Sequence, residues 1–471
     1  MNGRRRGASA TAVPGGAPPV GRLPAYPPTN WFFLAIFLAF VLARYVSANE
    51  RMDLLRTIRC EFILGAAACV CGGIRLAMQP PPMGRARPLM YWMIGLFLAI
   101  AIQVPFAADQ VYAPMVFNDR VFKFAMLSFL IASLVDTPKV MVIFLGTFLF
   151  SVFYITLEAT QGLISGGLYW QNQGIMRLHG AVGQYGHPNS LGGVSLGSMP
   201  FVIFLFRPLR SWLLRLALLA VATTSMICVI YSGSRTSYIG LFALLAWIWF
   251  HQKRKMRALV MFLGVGLAVL PIIPDQYINR FRSIGGHEAE GGSKVARIQI
   301  LKDAIVVFQQ NPLGVGVGSF PVVRHRLFGR EQDTHNLYLE IATNLGVQGV
   351  IVFVGFVAAM LAAFRRAAFD MQAQATALRR KVRGADLPPP LRRQAAAHFR
   401  DLDILIEAAK AGAGFILVRL ALGAFGMDMY EIYWWFGAGL AISLCGLAVT
   451  TRRRTGHLLA MMDAQAQPQG A

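Results

Sequence analysis

The sequence predicts an all-α polytopic membrane protein, with about 12 transmembrane helices and a long outward loop between the ninth and tenth. Three observations carry this prediction. Of the 471 residues, 56% are apolar and 14% charged, whereas charged residues make up about a quarter of a soluble domain. Apolar runs close to the ~20 residues that a bilayer requires recur from end to end. The net charge of +23 would suggest nucleic acid in a soluble protein, but here its distribution follows topology, because inner loops of membrane proteins collect Lys and Arg.

Apolar runs set against breakers place the spans at Trp31–Val46, Cys60–Met78, Leu89–Phe106, Val121–Val135, Val140–Leu157, Leu191–Phe206, Trp212–Tyr231, Tyr238–Phe250, Leu259–Ile273, Val347–Phe364, Ala408–Phe425 and Tyr433–Thr450. The run Gly3–Pro28 is rich in Gly, Pro and Ala and carries Arg4, Arg5 and Arg6, so it reads as a disordered inner tail. A cleavable signal peptide competes with that reading, since Val46-Ser47-Ala48 resembles a cleavage site. The long leader and the many later spans favour an uncleaved anchor. The five cysteines (Cys60, Cys69, Cys71, Cys228, Cys445) lie in or beside apolar segments and read as structural thiols.

With the N-terminus inside, the inner loops and tails hold 27 of the 45 basic residues, the outer loops hold 15, and Arg44, Lys410 and Arg419 fall within spans. This bias puts both termini inside. Eight of the outer basic residues lie between Arg280 and Arg330, against the trend. The long inner stretch Arg365–Glu407, broken by Pro388-Pro389-Pro390, reads as a basic amphipathic hairpin near anionic headgroups. Glu158–Ser190 and Pro274–Gly346 face outward, and chemistry is expected there.

Four outward segments are candidates. Arg177 opens a Gly-rich run to Asn189, which fits either an anion site, where backbone amides and a guanidinium approach oxygens, or a re-entrant turn satisfied by its own polar groups. In Tyr231-Ser232-Gly233-Ser234-Arg235-Thr236-Ser237, Arg235 either snorkels to headgroups or points into a cavity to pair with an anion. Ser293 to Ala304, including Arg297, reads as an amphipathic helix with a basic edge, and Asn311-Pro312-Leu313-Gly314-Val315-Gly316-Val317-Gly318 follows as a turn. A nucleotide loop is rejected for that turn, because no strand-to-helix unit surrounds it. His335 lies between Asp333 and Asn336 at the lip of a span. A lone His is usually a structural hydrogen-bonding group, yet this position also suits a general base. Asp333, His335 and Glu340 do not share a helical face and sit in basic surroundings, so no metal site is expected.

In this order, Arg177 to Asn189, Ser234-Arg235, Arg297, Asn311-Pro312-Leu313-Gly314-Val315-Gly316 to Phe320 and Thr334-His335-Asn336 to Gly346 resemble the O-antigen ligase and O-antigen polymerase superfamily of polytopic bacterial membrane glycosyltransferases. The resemblance covers roughly residues 170–365. It implies a GT-C-like fold in the inner membrane with a periplasmic active site. It also implies transfer of a glycan from undecaprenyl diphosphate to a lipid A core, a glycan or a protein, independent of any metal, nucleotide-sugar or other cofactor. In those terms His335 serves the acceptor hydroxyl, Arg235 and Arg297 hold the diphosphate with Arg177 as a further anion candidate, and Asn336 or Asp333 orients the imidazole. The Gly285–Gly292 stretch ahead of Arg297 departs from the family pattern as an insertion-like segment and leaves the register of the following helix open.

The expected organisation is a tail at 1–28, N-terminal spans at 29–157, an O-antigen ligase-like catalytic region at 158–364 with its periplasmic loop at 274–346, a basic cytoplasmic loop at 365–407, C-terminal spans at 408–450 and a cytoplasmic tail at 451–471. The expected function is O-antigen ligase in lipopolysaccharide assembly, with O-antigen or exopolysaccharide polymerase as the alternative within the superfamily. Partners are then the lipid-linked donor, the acceptor and membrane lipids, with no nucleic acid. A polysaccharide transporter is the alternative from another class. Against it, transporters gather polar residues near the bilayer midplane on broken, repeated helices, and the distinctive polar residues here lie in outer loops.

Overall fold

The computed structural model describes residues 23–172, 174–282, 292–383 and 387–466. The first 22 residues of the expected tail, and 285–291 of the insertion-like stretch, lie outside the described residues. The N-terminal helices are α1 (Trp31–Val46), α2 (Cys60–Met78), α3 (Arg87–Gln103), α4 (Lys123–Leu134) and α5 (Pro138–Ser165). A small antiparallel hairpin follows, β1 (Tyr169–Asn172) and β2 (Ile175–Leu178), with Trp170 opposite Arg177. The middle of the chain forms α6 (Pro188–Phe206), α7 (Trp212–Tyr231), α8 (Arg235–His251), α9 (Lys255–Val269), α10 (Asp275–Arg282), α11 (Gly292–Gln310) and α12 (Phe320–Phe328). Three long helices complete it: α13 (Leu337–Arg383), α14 (Pro389–Gly423) and α15 (Ile432–Ala466).

Each expected span overlaps a helix, and among the described residues seven helices are long and apolar enough to cross a membrane: α2, α3 with its preceding turn, α5, α6, α7, α13 and α15. The fold is all-α and polytopic, with one small hairpin between its helices. Three of the expected ends coincide with helix ends for local reasons. At α1 the Asn30 side chain accepts from the amides of Phe32 and Phe33, which satisfies two otherwise orphaned donors. Backbone with positive φ closes α1 at Ser47 and precedes α2 at Arg59.

The apolar stretches of α15 and α6 are 89% and 78% buried within the protein, against 17% for α2. The first two are therefore central and α2 faces lipid. Around this centre α14 packs on α6, α8, α13 and α15, and α15 packs on α4. Small residues allow the close approach, since a Cβ at Gly439 in α15 would meet the Ser128 carbonyl at 2.8 Å.

At the end of the bundle away from His335, α13, α14 and α15 run past their apolar stretches and pack as a helical extension. Leu378, Leu391, Ala395, Leu458 and Met462 form its separate core. Residues 23–28 of the expected tail reach this extension: Tyr26 donates to Asp401 (3.0 Å) and stacks beneath the Arg454 guanidinium. The stretch 365–407 is thus largely a continuation of two spans.

The opposite end is organised around a break in α13. Gly346 adopts φ 69°, ψ −166°, backbone that is essentially restricted to glycine. The turn at Asn311–Gly318 wedges into the break. Val315 and Gly316 amides donate to the carbonyls of Thr343 (2.9 Å) and Asn344 (3.0 Å), and the Val347 amide donates to Pro312 (2.9 Å). A Cβ on Gly314 would lie 2.5 Å from the Asn344 carbonyl, and one on Gly346 would lie 2.5 Å from that of Pro312. The glycine alternation therefore permits two backbones to touch.

Candidate active site

His335 is held in place by what flanks it. Asn336 caps α13, its side-chain oxygen accepting from the amides of Tyr338 (2.9 Å) and Leu339 (3.1 Å), while its amide nitrogen donates to the Ala424 carbonyl (2.8 Å). On the other side, the Asp333 carboxylate accepts from the Thr334 amide (2.6 Å), and the Thr334 hydroxyl donates to the Asn336 carbonyl (3.2 Å). Between them His335 takes φ 48°, a left-handed conformation that is uncommon outside glycine and concentrates at functional sites. The imidazole is exposed at the mouth of a cavity of about 580 Å³, and among the described residues it has no hydrogen-bond partner. Partial enclosure by the protein holds its pKa below the usual imidazole value; Arg297 and Arg324 push the same way and Asp333 opposes them.

Arg324 belongs to a buried anchor beneath this loop. It donates to Asp303 (2.9 Å) and to the Gln332 carbonyl (2.9 Å), and Arg330 also pairs with Asp303 (3.0 Å). Burial alone would raise the Asp303 carboxyl. The bonds from Gln299, Arg324 and Arg330 outweigh it and hold the group below the usual carboxylate range. The anchor ties α11 and α12 to the strand of loop that ends at His335.

The other residues expected at the site occupy distinct places. Arg297 is exposed on α11 and acts on His335 through its charge. Arg235 is half-buried at the first position of α8, next to Thr236, which lines the cavity. Arg177, on β2, is 1% exposed and donates to the Ser232 carbonyl (2.8 Å) and to Asn189 (2.7 Å). It therefore lies behind the cavity wall, to which Asn189 contributes. His187 stands on the same wall, and burial followed by the charges of Arg177 and His335 lowers its pKa. Asp333 and Asn336 flank His335 in the chain, and their side chains bond backbone amides and carbonyls as described.

Residues 216–354 match the O-antigen ligase family model. Over that segment the chain is similar to the O-antigen ligase family, a likeness that supports the O-antigen ligase superfamily and a function of the ligase or polymerase type in general. Among curated proteins, none matches the chain. The O-antigen ligase segment runs from α7 into α13 and contains Arg235, Arg297, the Asn311–Gly318 turn and Asp333-Thr334-His335-Asn336.

Much of the cavity is built from outside that segment, by residues the motif reading did not reach. Arg44 from α1, Arg120 from the π-helical stretch Phe117–Phe122 before α4, Arg419 from α14, and Asp428 and Glu431 from the α14–α15 connection all line it. Arg44 pairs with Glu61 (3.2 Å) and Arg120 with Glu431 (2.9 Å). Burial, reinforced by Glu431 and opposed by Arg419, pushes the Asp428 carboxyl up to about 6. A signal for two of these residues was present in the sequence. Arg44 and Arg419 interrupt apolar spans, and an ionisable group inside a span marks a functional position by default.

Proposed function

We propose that the protein transfers a glycan from undecaprenyl diphosphate to an acceptor hydroxyl at the periplasmic face of the inner membrane, most simply as the O-antigen ligase of lipopolysaccharide assembly. The observation that carries the reading is His335: a residue in left-handed backbone whose imidazole, without a hydrogen-bond partner among the described residues, stands at an arginine-lined cavity within the O-antigen ligase segment. Its lowered pKa keeps the ring neutral near pH 7, the form that accepts a proton. Neutral His335 takes the proton of the acceptor hydroxyl as that oxygen bonds to the anomeric carbon. The bond from that carbon to the diphosphate oxygen breaks, its electron pair leaves with the diphosphate, and the configuration inverts. Guanidiniums stabilise the charge gathering on the leaving group. We assign that role to Arg235, next to the cavity-lining Thr236, and to Arg297, which acts by its charge from outside the lining, while Arg177 fixes Asn189 and adds its charge from behind. Asp333 and Asn336 orient His335 through the backbone they hold.

Complementation in a ligase-deletion strain and a polymerase-deletion strain, with the wild type, His335→Ala and Arg297→Ala, tests this reading. Rescue of core-linked glycan in the first strain, lost with His335→Ala, is the expected result. Rescue of the second strain alone would make the protein a polymerase. Rescue of neither, or full transfer by both variants, would refute the catalytic assignment.

A further inference from the structure

Three arginines line the cavity that His335 opens onto, and two of them already have a carboxylate. Arg44 pairs with Glu61 and Arg120 with Glu431. Arg419 has no carboxylate within ion-pair distance among the described residues, although it is only 3% exposed. Its Nε is buried with no hydrogen-bond partner. The Asp428 carboxyl lines the same cavity without reaching ion-pair distance of Arg419. A buried guanidinium with no direct ion pair and an unbonded Nε is costly, so its retention calls for a ligand that supplies the missing partner.

The packing around Arg419 holds its plane in one orientation. On one side a Cβ at Gly197 of α6 would fall 2.8 Å from a terminal guanidinium nitrogen, and one at Gly193 would fall 3.5 Å from the other. The Tyr433 ring also packs on it, its centroid 3.2 Å from the guanidinium carbon. A guanidinium confined by a glycine face and an aromatic ring presents its donors edge-on, as a fork for paired anionic oxygens.

We infer that Arg419 binds the phosphate oxygens of the lipid-linked donor within this cavity, as an anion-binding arm from α14 that lies outside the O-antigen ligase segment. The inference rests on the transferase reading above. The test uses the full chain in lipid nanodiscs carrying undecaprenyl diphosphate, with bound lipid counted by native mass spectrometry and the thermal midpoint recorded for each variant. Loss of a charge-assisted hydrogen-bonding group is expected to weaken lipid diphosphate binding by roughly 10- to 100-fold in Arg419→Gln. Arg419→Lys, which retains the charge without the fork, should fall between the two. Binding equal to wild type in both variants overturns the assignment of Arg419 and leaves the transferase reading standing. A lowered midpoint with unchanged binding overturns it as well, since that is the signature of a purely structural arginine. If Arg419→Gln does not fold, Arg419→Lys decides alone, with wild-type affinity as the overturning result. A wild type that binds no undecaprenyl diphosphate overturns the transferase reading itself.

Discussion

The break in α13 offers a direct test of how the site is held, through Gly346→Ala. The wild-type backbone there, φ 69° and ψ −166°, costs about 1–3 kcal/mol for a residue with a Cβ. The new Cβ would also lie 2.5 Å from the Pro312 carbonyl, well inside contact distance, so the turn must move away from the helix. Three backbone hydrogen bonds join turn to helix, at 2.9, 3.0 and 2.9 Å. Weakening them costs about 1 kcal/mol each. Strain and lost bonds together suggest a penalty of about 4–6 kcal/mol, or roughly three to four decades in the equilibrium between latched and unlatched turn.

Gly329→Ala is the matched control. Gly329 also has positive φ (67°), but a Cβ there meets nothing within 4 Å, so it carries only the left-handed strain of about 1–2 kcal/mol. Thermal unfolding in detergent and hydrogen exchange at 312–320 read the two effects separately. Gly346→Ala should lower the midpoint clearly more than Gly329→Ala and should speed exchange in the turn. Equal midpoints with undisturbed exchange would refute the wedge as the element that fixes this end of the protein.

Other consequences are testable in the same preparations. The acid limb of glycan transfer should lie below the ordinary imidazole value of about 6.5, because activity is lost only when His335 protonates; Arg297→Gln should move that limb to higher pH and Asp333→Asn to lower pH, given the directions in which the two charges act on His335. Asp303→Ala leaves the buried Arg324 without its partner and should destabilise the outer loop by about 3–5 kcal/mol, read as a fall in thermal midpoint; the contribution of the pair is present at neutral pH and is lost as pH falls through the lowered Asp303 pKa. Asn336→Ala removes the α13 cap and should cost about 1 kcal/mol, with a loss of transfer larger than the loss of stability if the cap also sets His335.

The spans were legible because a bilayer imposes one strong rule on sequence, and Trp31–Val46, Cys60–Met78 and Trp212–Tyr231 end where their apolar runs end. Helices that leave the bilayer escape that rule. The apolar run at Val347–Phe364 gives no sign that its helix continues to Arg383, since the continuation is held by a mixed polar and apolar interface with α14 and α15. The hairpin at Tyr169–Leu178 was illegible for another reason: four-residue strands carry too short an alternation to rise above loop composition. At the site, His335 was visible as a polar residue at a span lip. The role of the glycine run at Asn311–Gly318 was not, because only the fold reveals that a second glycine, Gly346, lies opposite it.

That pairing of distant glycines bears on how the site divides its work. The O-antigen ligase segment supplies His335 and the latch that fixes it, but it supplies little of the charge inside the cavity. Arg44, Arg120 and Arg419 come from helices on either side of the segment, and each approaches from a different part of the bundle. An anion in the cavity would therefore be held by separate elements of the bundle, whereas the proton acceptor is held by a local network of hydrogen bonds. Substitutions in the latch should then lower turnover with donor binding largely retained, and substitutions at Arg419 should weaken donor binding with the His335 titration little changed. A site in which every variant lowered both together would have to be one cooperative unit, contrary to the separation of the two sets of contacts.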